Sequence, residues 1–161
     1  MILGTKARYA VMALVDLSTH CQGRPVALAD IAARQEISLA YLEQIFPKLK
    51  KAGIVKPVRG PGGGYLLAKG AHETRIIAIV EAVDESLQMT RCGDFKHKRG
   101  CMSNRAQCAT HHLWQGLGDQ ITAYLSAVTL EDVCTRNIEK LLGEKPDRPM
   151  FSANQELRSA L

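Results

Sequence analysis

Between Gly60 and Gly64 the chain reads Gly-Pro-Gly-Gly-Gly. No helix or regular strand passes through such a run, because proline lacks the backbone N–H and glycine carries the largest ordering cost. Short apolar runs flank it, Ile54-Val55-Lys56-Pro57-Val58 before and Tyr65-Leu66-Leu67 after. This pattern predicts a two-stranded hairpin with a glycine-rich tip carrying Arg59. A nucleotide-cradling loop would need a Gly-Lys-Ser/Thr ending and a helix opening on its last glycine, and the sequence supplies neither.

Three helices are predicted upstream. Thr5 is a candidate N-cap for the first, in which Tyr9, Ala10, Ala13, Leu14 and Leu17 recur at helical spacing to about Thr19. A second, Leu28 to Arg34, turns Leu28, Ile31 and Ala32 inward, and Gln35-Glu36-Ile37 leads to Ser38 as the next N-cap. The third presents Leu42, Ile45, Phe46 and Leu49 on one face and closes at Gly53. Pro47 falls inside it and removes the bond to the Glu43 carbonyl, so a kink is expected there. Helix-turn-helix followed by a hairpin is the winged-helix pattern, giving a mostly α fold with a small β wing.

Charge is distributed in keeping with that pattern. The net charge is +5 over 161 residues, and from Gln44 to His72 the basic residues Lys48, Lys50, Lys51, Lys56, Arg59 and Lys69 have no acid among them. A local positive field of this kind suits a polyanion, although a solvated basic face gives the same count. On the third helix the candidate DNA-facing residues are Ser38, Ala40, Tyr41, Glu43, Gln44, Lys48 and Lys51. Gln44 has the chemistry to bond an adenine edge and Glu43 to accept from a cytosine amino group, while Tyr41, Lys48 and Lys51 suit phosphates. Arg59 is placed to reach a minor groove, and Gly60 permits close backbone approach.

Downstream, a helix is predicted from Glu73 to Leu87, with Ile76, Ile77, Ile79, Val80 and Val83 apolar. Residues 88 to 107 show no period. Beyond them Leu113, Trp114, Leu117, Ile121, Tyr124, Leu125 and Val128 trace a long helical stripe that suits pairing with a second copy, and Thr129 with Asp132 predicts one more capped turn. The segment 137–161 is polar and proline-bearing, and is expected to be a mobile tail. The expected domains are 1–87 for DNA binding, 88–111 as a ligand-bearing loop, 112–136 for dimerisation, and 137–161.

Five cysteines without a secretory signal argue against a disulfide framework. Cys21 and Cys134 read as core-type thiols. Cys92, Cys101, Cys108 and His111, spaced by eight, six and two residues, supply three thiolates and an imidazole suited to zinc or an iron-sulfur cluster. Zinc sites usually close on Cys-x2-Cys knuckles, absent here, which favours the cluster. Cys108 as a nucleophile with His111 or His112 as base lacks a readable orienting acid.

The chain resembles the IscR-type family of iron-sulfur-sensing transcription regulators. The resemblance rests on Lys6-Ala7-Arg8-Tyr9-Ala10, Leu28-Ala29-Asp30-Ile31, Ile37-Ser38-Leu39-Ala40-Tyr41-Leu42-Glu43-Gln44, Val58-Arg59-Gly60-Pro61-Gly62-Gly63-Gly64-Tyr65, Ala82-Val83-Asp84-Glu85 and the cysteines with His111-x2-Trp114. It covers residues 1 to about 135. It implies a homodimeric repressor or activator, not an enzyme, that binds palindromic double-stranded DNA. By the same resemblance it carries a [2Fe-2S] cluster on Cys92, Cys101, Cys108 and His111, received from cluster-donor proteins. The cysteine intervals are longer than the family's usual ones, which leaves a [4Fe-4S] sensor of iron or nitric oxide open, beside a zinc or thiol redox protein. Lys6, Arg8 and Asp16 interrupt the N-terminal apolar stretch, and no run approaches the about 18 apolar residues of a membrane span. A cytoplasmic location is expected.

Overall fold

The computed structural model describes residues 4–84 and 107–138. Helix α1 (Thr5–His20) is followed by α2 (Leu28–Gln35), α3 (Leu39–Lys51), strands β1 (Val55–Val58) and β2 (Gly64–Leu67), α4 (Ile76–Ala82), α5 (His111–Ala127) and α6 (Leu130–Cys134). The chain is therefore mostly helical with one antiparallel hairpin, paired Val55 with Leu67 through Val58 with Gly64.

Helix α1 is the centre of the core. Its small residues Ala7, Ala10 and Ala13 are fully enclosed, and they let α2, α3 and α4 approach closely around Leu14 and Leu17. Ile31 from α2, Leu42, Ile45, Phe46 and Leu49 from α3, and Ile79 and Val80 from α4 complete the packing, and Val128 and Leu130 join the same core. Cys21 and Cys134 are half-buried at its edge.

Several expected boundaries move, each for a local reason. Gly4, not Thr5, caps α1, and Thr5 already lies within the helix. Ser38 occupies the N-cap position of α3 without a side-chain bond. Helix α4 begins at Ile76 rather than Glu73. Glu73 and Thr74 are spent on a turn, accepting from the Gly70 amide and donating to the Gly70 carbonyl. Arg75 is extended and bridges to Thr129. Helix α4 also ends at Ala82 rather than Leu87, because Val83 leaves the helical conformation and Asp84 turns the chain through φ +56°. The loop 88–107 up to residue 106 and the tail from residue 139 lie outside the described residues. Helix α3 runs through Pro47, which sits on its exposed side. The capped turn expected at Thr129 is present, with both bonds of a capping box formed to Asp132.

Candidate nucleic-acid interface

The burial of Leu42, Ile45, Phe46 and Leu49 fixes which face of α3 meets solvent. Leu39, Ala40, Glu43, Gln44, Pro47, Lys50 and Lys51 are exposed, together with Ser38 just before the helix. Of the expected contact residues, Ser38, Ala40, Glu43, Gln44 and Lys51 thus share one open surface. Two others are differently placed. The Tyr41 ring is half-buried edge-on against Tyr9, centroids 5.5 Å apart, and the Lys48 ammonium donates to the Asp84 carboxylate at 2.8 Å. Both residues lie on the flank of α3 that turns towards α1 and α4.

The wing stands beside this helix because Tyr65 packs on Phe46, centroids 4.8 Å apart. Val26 adds a third backbone to the hairpin. Its amide donates to the Tyr65 carbonyl at 3.0 Å, and its carbonyl accepts from the Tyr65 amide at 2.8 Å. Gly64 lies so close to this crossing that a Cβ there would overlap the Val26 carbonyl. At the tip, Gly63 donates to the Gly60 carbonyl across Pro61 and Gly62, and Gly62 has φ +72°. Proline followed by a positive-φ glycine is the pairing of a type II turn. Arg59 and Gly60 are both exposed at this tip.

What aims α3 is a buried charge that sequence reasoning missed. Asp16, enclosed on α1, accepts from Arg34 Nε and Nη2 and from Gln35 Nε2 at 2.6 to 3.1 Å. This fork locks α2 onto α1. Burial pushes the Asp16 carboxyl up, but the hydrogen bonds from Arg34 and Gln35, with the Arg34 charge, outweigh it and hold the carboxyl below its usual range. Glu36 then turns the chain through φ +54° into α3. An acid one residue before the apolar Leu17 was the only signal available in the sequence.

The second candidate site is at the root of α5. Cys108 is half-buried one turn before His111, the first residue of α5, whose amide donates to the Cys108 carbonyl at 3.0 Å. The Cys108 thiol lies 3.6 Å from the Thr110 hydroxyl, and the rings of His111 and His112 meet edge-on. Thiolate and imidazole one turn apart fit the donor chemistry of a cluster or zinc. Cys92 and Cys101 lie outside the described residues, and among the described residues no three His, Cys, Asp or Glu side chains converge to hold an ion.

No residue of α5 is buried. His111, Gln115, Gly118, Ile121 and Leu125 are half-covered on one side, whereas Leu113 (66% exposed), Trp114, Leu117 and Tyr124 stand open on another. Among the described residues no helix is long and apolar enough to cross a membrane.

Comparison with known proteins agrees with this layout. The family model described as Rrf2, iron-dependent transcriptional regulator, matches residues 3–136. An HTH-type transcriptional regulator IscR of Photorhabdus laumondii is 50% identical over 133 residues, covering 83% of this chain and 79% of that protein. One from Serratia proteamaculans is 42% identical over 168 aligned positions, covering 99% of this chain and all of the relative. Among solved structures, T. potens IscR superposes with a TM-score of 0.68 at 32% identity, over 90% of this chain and 94% of that one. CymR, the global cysteine regulator of B. subtilis, gives 0.69 at 26% identity, over 84% and 98%.

Proposed function

Since the chain belongs to the Rrf2 family of iron-dependent transcriptional regulators and is an IscR-type DNA-binding regulator rather than an enzyme, we propose that it is a homodimer whose operator binding is controlled by an iron-sulfur cluster. The observation that carries the DNA-binding half is the open face of α3, with Gln44, Glu43 and Lys51, flanked by a wing that presents Arg59. In the proposed complex α3 enters the major groove, where Gln44 pairs with an adenine edge and Ala40 leaves room for a thymine methyl. Glu43 demands a donor such as the cytosine amino group and penalises sites without one. Arg59 enters the adjacent minor groove, while Ser38, Lys51 and the Gly60 backbone meet phosphates, with Tyr41 at the edge of the contact and Lys48 turned aside to Asp84.

The dimer is supported by the open apolar face of α5, which in water alone would expose a tryptophan and two leucines. Two such protomers call for a palindromic operator with half-sites about one helical turn apart or a multiple. Cys92, Cys101, Cys108 and His111 would hold the cluster, [2Fe-2S] by resemblance. Bound there, it would supply a redox- and iron-sensitive tie between these residues. The chain transmits the rest: α5 packs on α4, and α4 packs on α1 and α3, so a change at the root of α5 reaches the recognition helix through contiguous packing. The two states must differ in DNA affinity for this to be control. In this reading the regulator acts in the cytoplasm on genes for cluster assembly or iron balance.

The test is a visible spectrum of protein isolated without oxygen, beside that of Cys101→Ala, followed by duplex binding with and without the cluster. Thiolate-to-iron bands that vanish in the variant, together with unequal operator affinities, support the reading. Equal affinities on every operator tried would refute cluster control, and a colourless protein that iron and sulfide fail to reconstitute would favour zinc or thiol chemistry.

A further inference from the structure

The pairing of Lys48 with Asp84 joins the flank of α3 to the end of α4 at 2.8 Å, and both side chains are substantially exposed. An exposed pair of this kind contributes little to folding. Two other features set it apart. Asp84 has φ +56°, in the left-handed region that glycine, asparagine and aspartate adopt most readily, so it closes the end of α4 with a sharp turn that fixes its carboxylate beside α3. Its carboxyl also feels the charges of Lys6, from the first turn of α1, and Lys51, from the last turn of α3, besides that of Lys48. A carboxylate facing ammonium groups from two helices, beside the open face of α3, occupies a place suited to a phosphate oxygen of duplex DNA.

We propose that Asp84 stands in for a DNA phosphate, engaging Lys48 within the protomer and so withholding one backbone contact from sequence-independent DNA binding. This rests on the duplex-binding function proposed above. The physical reason is that non-specific affinity is carried almost wholly by phosphate contacts and their released counterions, so a single neutralised lysine is felt there directly. The groove-reading residues Ala40, Glu43 and Gln44 lie on a different part of α3 and are untouched by the pairing.

The experiment measures binding of the full chain to a random-sequence duplex of about 30 base pairs by fluorescence anisotropy, from roughly 0.05 to 0.3 M salt. Asp84→Asn and Asp84→Gly both suit a positive φ, so the end of α4 is preserved in each. Both are expected to bind roughly fivefold to tenfold tighter at 0.1 M salt, with a log–log salt slope steeper by about 0.9. Lys48→Ala alone is expected to leave the slope of the parent unchanged and, added to Asp84→Asn, to cancel the gain. Asp84→Glu should behave as the parent. Parental slopes in both Asp84 variants, or a gain that survives Lys48→Ala, overturn the proposal. So does a slope lowered by about 0.9 in Lys48→Ala alone, since Lys48 would then already be gripping phosphate. If neither the parent nor any variant binds the duplex, the duplex-binding function has failed and the withholding falls with it, whereas a binding parent with unmoved slopes refutes the withholding alone.

Discussion

Asp16 shows how much a single buried charge decides. Its carboxylate has three hydrogen-bonding nitrogens around it on α2, and removing Arg34 would leave it enclosed with Gln35 as its remaining partner on that helix. Arg34→Ala should therefore cost about 3 kcal/mol in urea unfolding, the low end for breaking a buried pair because Arg34 is itself partly exposed. Because the carboxyl titrates lower folded than unfolded, its contribution is complete above about pH 4 and fades as the pH falls through the folded value. Asp16→Asn should flatten the acid limb of the stability profile below about pH 4, and an unchanged limb would count against this account. Neither partner was legible as a pair, since eighteen residues separate them and only the crossing of α1 and α2 brings them together. Pro47 was legible as an anomaly. The helix accommodates it on its wet side, where the orphaned Glu43 carbonyl is free to meet water, so Pro47→Ala should stabilise the protein by about 2 kcal/mol in chemical denaturation, the helix penalty less the gain from a stiffer unfolded chain.

At the level of elements, what the sequence disclosed best was anything closed by neighbouring residues. The hairpin, the turn at its tip, and the capping box at Thr129 and Asp132 all rest on contacts a few residues long. The start of α4 was misplaced because Arg75 is drawn into a bridge with Thr129, a partner more than fifty residues away. The wing likewise depends on a distant partner, Val26, and this gives it a weak point. Gly64→Ala should cost about 2 to 3 kcal/mol by forcing the hairpin off the Val26 backbone. The loss should appear as reduced protection of the Val26 and Tyr65 amides in hydrogen exchange. Helix α5 was legible as a helix, but its stripe was not legible as two faces. Among the described residues, α4 packs on α5, which has a half-covered side with Ile121 and Leu125 and an open side with Trp114 and Leu117. Leu117→Glu should shift the protein to monomer in sedimentation analysis while leaving the circular dichroism of the protomer intact, because Leu117 supports no core.

For the whole molecule, the order of elements and the open face of α3 were readable from periodicity. The position of α5 against the body was not, because it depends on how α4 and the junction after α5 are stitched together. That junction is firm. Ile76 donates to the Val128 carbonyl at 3.0 Å, Leu130 donates to the Thr74 carbonyl at 2.8 Å, and Arg75 reaches the Ala127 carbonyl at 2.8 Å, with Val128 and Leu130 sealed in the core. Cys108 and His111 stand at the opposite end of α5, a helix of 17 residues. Mechanically, α5 is an arm clamped at its C-terminal end. Its 17 residues give an arm of about 25 Å, so a swing of about 5° at the clamp carries the tip through about 2 Å. The gearing also works in reverse: a displacement of that size at the cysteine-bearing tip arrives at the clamp as a rotation of about 5° beside α4, which packs on α3.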